Sequence, residues 1–143
     1  MINFRALLAV SLIALPYTTP ALALCLSYTK PVVVAGVLER ATFPGPPNFE
    51  SIPAGDEPEA GFYLKLKKPI CVAGSIGSSV NEPAQNASLV QLILKQPGYD
   101  LFRPAIGRAI QVRGTLMSAF DGNHHAPLLL RHPVMVRPSS KRR

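Results

Sequence analysis

The sequence predicts an all-β domain, a small five-stranded OB-like barrel with one short helix, with a small β-sandwich as the alternative. Fifteen prolines and ten glycines cut the chain into short pieces. That disfavours long helices, because proline removes a helix hydrogen bond and glycine loses the most backbone entropy on ordering. The pieces between are runs rich in Val, Leu, Ile and Phe, some with the period-two alternation of a half-buried strand. The first and fourth runs carry an internal glycine, Gly36 and Gly114, at which a strand can bend or bulge.

Arg5, an apolar run over residues 6–16 and Ala21-Leu22-Ala23 are the parts of a cleavable secretory signal peptide at 1–23. The positive charge stays on the cytoplasmic side while the apolar segment enters the translocon. The run is shorter than the roughly 20 residues of a membrane span, so no stable membrane insertion is expected after cleavage. Leu22-Ala23-Leu24-Cys25 resembles a lipidation box, but lipid attachment requires a small residue before the cysteine and Leu24 is large. The mature chain then runs from 24 to 143, with one domain over 24–137. Cys25 and Cys71 are its only cysteines. In an oxidising compartment an even count favours a disulfide, which closes a loop of about 45 residues and contributes roughly 3–4 kcal/mol.

Strands are expected at 31–43, 61–67, 89–95, 108–120 and 127–136, with a short apolar piece at 69–73 after the second. The intervals 44–60, with five prolines and four acids, and 74–86 read as loops. Tyr99, Leu101, Phe102 and Ile106 at helical spacing place one short helix or turn in 97–107. Asp121-Gly122 is a hairpin signal between the last two strands. The formal charge of +7 falls to +6 without Arg5 and divides between Lys65-Lys67-Lys68 and a basic, disordered tail at 138–143. Aromatics are not interleaved with these charges as stacking platforms, so no specific nucleic-acid partner is expected.

Asp121-Gly122-Asn123-His124-His125-Ala126-Pro127 is the one conspicuous constellation, on the connection between the fourth and fifth strands where such a barrel binds ligands. Asp121, Asn123, His124 and His125 are the candidate partner-binding residues. Three readings stand open. The imidazoles bind zinc or copper with Asp121 or His132 as a third ligand. The loop is a recognition edge for a partner. Or Asp121 and Asn123 shape the turn while one ring packs at the barrel end and the other lies exposed, since strand neighbours face opposite ways. No nucleophile motif, phosphate loop or close acid pair beyond Glu57 and Glu59 points to catalysis, and no cofactor is implied.

Pro69-Ile70-Cys71-Val72, Val90-Gln91-Leu92, Val112-Arg113-Gly114-Thr115-Leu116 and His124-His125-Ala126-Pro127-Leu128-Leu129 resemble, in this order, a small exported bacterial family known as domain of unknown function 4431. The resemblance spans roughly Lys30 to Val136, and its most specific element is the His-His-x-Pro run, where the family often has threonine and this chain has Ala126. Some relatives look to be joined to lysozyme-inhibitor-like modules. The resemblance therefore implies a periplasmic or secreted, non-enzymatic binding or inhibitor-type domain with an envelope macromolecule as partner. The rival expectation is a metal-dependent hydrolase or metal-binding protein that uses His124 and His125.

Overall fold

The computed structural model describes residues 24–136, apart from 76, 78 and 79. The strands are β1 (Leu26–Ser27), β2 (Val32–Pro44), β3 (Pro58–Ala73), β4 (Ala84–Ile93), β5 (Ala109–Ser118) and β6 (Leu128–Met135). Helix α1 (Gln96–Phe102) runs into a 3₁₀ turn at Arg103–Ala105. β3 pairs antiparallel with β2 and β4, β2 with β5, and β5 with β6, and a parallel β4–β6 pair completes the ring. Five strands thus close into the OB-like barrel that the sequence predicts, with the helix between the third and fourth barrel strands.

Period-two alternation explains which side chains fill it. On β3, Phe62, Leu64 and Leu66 point inward while Lys65 and Lys67 face solvent. Val90 and Leu92, Val112 and Leu116, and Leu128 and Leu130 do the same on β4, β5 and β6. Phe102 and Ala105 from the helical segment join this core, and Tyr99 meets Phe62 edge-on at 5.0 Å. Proline in the first turn of α1 costs no hydrogen bond there. β2 is long enough to serve two neighbours, pairing with β5 over Val32–Val37 and with β3 over Gly36–Pro44. Gly36 sits at the changeover, and a Cβ there would collide with the Lys65 carbonyl, so the close approach of β3 requires glycine.

Two boundaries differ from the sequence expectation. β3 is one strand from Pro58 to Ala73, not 61–67 plus a separate piece. Pro69 does not break it because the β3–β4 register shifts between Lys65 and Ile70, where proline's missing N–H leaves no ladder bond unmade. β4 accordingly begins at Ala84 rather than 89 and carries Asn86 at a φ of 53° within the same irregular stretch. The signal peptide expected at 1–23 and the basic tail at 138–143 lie outside the described residues. No helix among the described residues is long and apolar enough to cross a membrane.

β1 was not legible in the sequence, because two residues carry no period. It pairs parallel with Val72 and Ala73, beside the Cys25–Cys71 disulfide with its Cα atoms 4.7 Å apart. Tyr28, buried, donates its hydroxyl to the Glu82 carbonyl at 2.6 Å. Burial first, and the Glu82 charge second, push its hydroxyl pKa up. So short a strand has little to hold it except these two anchors. Replacing both cysteines by alanine should therefore lower unfolding stability by roughly 3–4 kcal/mol while the far-ultraviolet dichroism stays that of a barrel. Denaturant titration checks this, and an unchanged midpoint would contradict it.

Candidate functional site

The connections 45–57, between β2 and β3, and 119–127, between β5 and β6, meet on the outer face of β3 and β4. Tyr63, Gln91 and Leu129 are register neighbours across β3, β4 and β6, and Phe43 lies opposite Glu59. Outward residues on a small barrel are normally wet, yet Tyr63 is 1 % exposed and Leu129 0 %. The 119–127 connection folds down over them. His125 stacks on Phe43 with centroids 4.8 Å apart and planes 8° from parallel, and Phe43 in turn meets Tyr63 edge-on at 5.2 Å. Burial foremost, with Glu59 and Tyr99 adding to it, pushes the Tyr63 hydroxyl up to about 12, so it stays protonated at any physiological pH.

Polar contacts fix the same connection. The His125 N–H donates to Gln91 Oε1 at 2.8 Å, and Gln91 Nε2 donates to the Asn123 carbonyl at 3.2 Å. His125 Nε2 lies 2.9 Å from Glu59 Oε2. Its neighbour faces elsewhere: His124 Nδ1 lies 2.9 Å from Asp121 Oδ1, and its ring meets Phe120 edge-on at 4.4 Å. The short contact needs the proton on Nδ1, so the 3.4 Å approach of the Phe120 N–H to that atom is not a second hydrogen bond. Asp121 Oδ1 also accepts from the Asn123 N–H at 3.0 Å, an Asx turn.

These positions correct two expectations. One ring was expected packed and one exposed; both imidazole side chains are only 11 % exposed. The neighbours do point apart, but the connection is long enough to give each ring its own carboxylate and aromatic partner. Nor is Asp121-Gly122 a two-residue hairpin turn, since the strands it joins end at Ser118 and begin again at Leu128, and Gly122 has no positive φ. Glycine is required for contact instead. A Cβ on Gly122 would lie 2.9 Å from Phe49 Cγ and 3.0 Å from both Cδ atoms, so the Phe49 ring rests on the 119–127 backbone.

Phe49 belongs to the other connection and has a left-handed φ of 59°, a conformation that costs a bulky residue on the order of 1–3 kcal/mol. Asp56 holds it there. Its buried carboxylate accepts from the N–H of Asn48 at 2.9 Å and from those of Glu50 and Ser51, each at 2.7 Å, on either side of Phe49. Those bonds, Ser51's foremost, hold the Asp56 carboxyl below the usual carboxylate range against the opposing effect of burial. The acidic, proline-rich interval is thus a fixed scaffold that aims one aromatic ring at the opposite loop.

What the site can do chemically follows from where its imidazoles point. His124 and His125 are directed at different carboxylates and do not converge on a common point. No group of three or more His, Cys, Asp or Glu side chains placed to hold a metal ion occurs among the described residues. His132 is exposed in β6 at a φ of 51° and forms no such group with the pair. Sequence reasoning missed Phe43, Phe49, Asp56, Glu59, Tyr63, Gln91 and Phe120. Gln91 left one trace, as the polar outward residue between Val90 and Leu92; Phe43, Glu59 and Tyr63 are brought to the histidine loop by the closure of the barrel, whereas Asp56 and Phe120 act through contacts within their own connections.

Fold and site together define a small all-β barrel of the OB-like class whose two ligand-loop positions are locked onto each other. The family model described as domain of unknown function (DUF4431) matches residues 89–131, from within β4 through α1 and β5 into β6. The match contains Gln91, Phe120 and the whole 119–127 connection but does not single out the His-His-x-Pro run, and the resemblance at Pro69–Val72 lies outside it. No curated protein and no solved structure matches the chain.

Because the Asp56 pKa is lowered in the folded state, its contribution to stability is complete above the unfolded carboxylate range and is lost as pH falls through the folded value. The thermal midpoint of the wild-type chain should therefore drop more steeply between about pH 5 and pH 3 than that of Asp56→Asn. Parallel slopes in the two melting series would show that Asp56 is not a linkage group.

Proposed function

We propose that this chain is an exported, non-enzymatic binding domain of the bacterial envelope that contacts its partner through the rim formed by 45–57 and 119–127. The observation that carries this reading is the mutual locking of the two connections. A surface ordered before binding spends no free energy on becoming ordered when a partner arrives. The exposed side chains of that rim suit recognition. Phe120 is 58 % exposed beside the solvent-facing Asp121 and Asn123, and Phe49 and Ile52 stand at the edge of the facing loop. An aromatic anchor ringed by amide and carboxylate groups is the composition of a contact hot spot.

His124 and His125 contribute by architecture on this reading: each ring is engaged with a carboxylate and an aromatic and holds the rim in shape. Export is supported by the signal-peptide pattern at 1–23 and by the Cys25–Cys71 disulfide, a bond that persists in oxidising compartments. Immobilised mature chain should retain a component of either isolated sacculi or solubilised envelope protein. Phe120→Ala should weaken that retention tenfold or more, while its melting temperature stays within about 3 °C of wild type, as for an exposed substitution. Full retention by Phe120→Ala would overturn the assignment of the rim. Turnover of peptidoglycan or peptide by the purified chain, abolished by His124→Ala, would overturn the non-enzymatic reading.

A further inference from the structure

A concavity elsewhere on the barrel shares no residue with the two connections. It is an open groove of about 970 Å³ where the helical segment meets β2, β5 and β6. That is at the upper end of the roughly 300–1,000 Å³ usual for small-ligand sites. Its walls are Leu101, Pro104, Ile110 and Val134, and its floor is continuous with the core through Phe102 and Ala105. Leu101 is 68 % exposed and Val134 63 %, so the apolar walls stand open to water.

Among the described residues, the ionisable side chains that line this groove are those of Lys67 and Arg108, both cations, and no carboxylate lines it. Neither forms a salt bridge among the described residues, whereas Lys65 and Arg103 nearby in sequence are matched to Glu39 and Asp100. Arg108 is held in place by its backbone, its N–H donating to Ala105 and its carbonyl accepting from the Leu38 N–H at 3.0 Å. Gln111 adds an amide to the same lining. An apolar trough with unmatched positive charge complements one kind of occupant, an apolar tail that carries a negative head.

We infer that this groove binds a single-chain anionic amphiphile, its acyl chain lying along Leu101, Ile110 and Val134 and its headgroup meeting Lys67 and Arg108. The tail contributes through removal of apolar surface from water, and the headgroup through charge-assisted hydrogen bonds, which guanidinium forms bidentately with carboxylate or phosphate.

Calorimetry and amide-shift mapping on the mature chain test this with octanoate, decanoate and decyl phosphate, each below its micelle concentration, and with 1-decanol below its solubility limit. Decanoate should bind about tenfold more tightly than octanoate, as two further methylenes enter the groove. It should bind at least fivefold more tightly than 1-decanol, and that preference should vanish in Lys67→Gln/Arg108→Gln. Decyl phosphate should show the same preference over 1-decanol, lost in the same double variant. Val134→Glu, at an exposed position, should abolish binding without shifting the melting temperature. Equal affinity for decanoate and 1-decanol would overturn the inference. So would shifts mapping outside the groove, or binding to anionic phosphatidylglycerol vesicles without binding to monomeric decanoate.

Discussion

An aromatic ring on the outer face of a barrel strand must either stand in water or be covered, and Tyr63 is covered almost completely. Alternation along β3 commits Phe62 and Leu64 to the interior, so Tyr63 has no choice of side. A side chain of this kind buries on the order of 150–250 Å² when it leaves solvent. That burial, together with Leu129 beside it, draws the 119–127 connection down onto the sheet. His125 follows as the lid, stacked on Phe43 and tied to Glu59, and Gln91 supplies the polar partners that the connection's backbone would otherwise lack. Without Gln91 the covered backbone groups would carry the cost of an unmade hydrogen bond, about 1–3 kcal/mol each.

The second connection is coupled to the first through Phe49. Its left-handed backbone is held by the three N–H bonds to Asp56, and its ring reaches Gly122 only because that residue has no side chain. The strain at Phe49 and the contact it makes are thus two ends of one arrangement. Strained backbone persists where the surroundings over-determine it, and here a buried carboxylate does so. The paired imidazoles then have different neighbours and a common consequence: His124 braces Phe120 and Asp121, His125 braces the whole connection against β3.

Much of the barrel could be read from the chain because its strands obey a local rule. The parity of Phe62, Leu64 and Leu66, or of Val112 and Leu116, is visible in sequence and decides what lies inside. Proline and glycine marked the loops, and Gly36 marked the bend. What could not be read depends on distant partners. Pro69 looked like a strand break, and only the register shift against β4 shows why it is tolerated. The histidine motif drew attention through its composition, but its surroundings, Phe43, Glu59 and Gln91, come from three separate strands. Asp56 looked like one acid among four in a loop; its role lies in backbone N–H groups five to eight residues earlier, and a composition count cannot show it.

The two connections form one mechanical unit, so that a change made in one is felt in the other. Amide hydrogen exchange on His125→Ala tests this most directly, because the substitution removes the lid from 119–127 and touches nothing in 45–57 covalently. Exchange should become faster at the Glu50 and Ser51 amides, which Asp56 holds beside Phe49, as well as within 119–127 itself. Faster exchange confined to 119–127, with Glu50 and Ser51 protected as in the wild type, would contradict it.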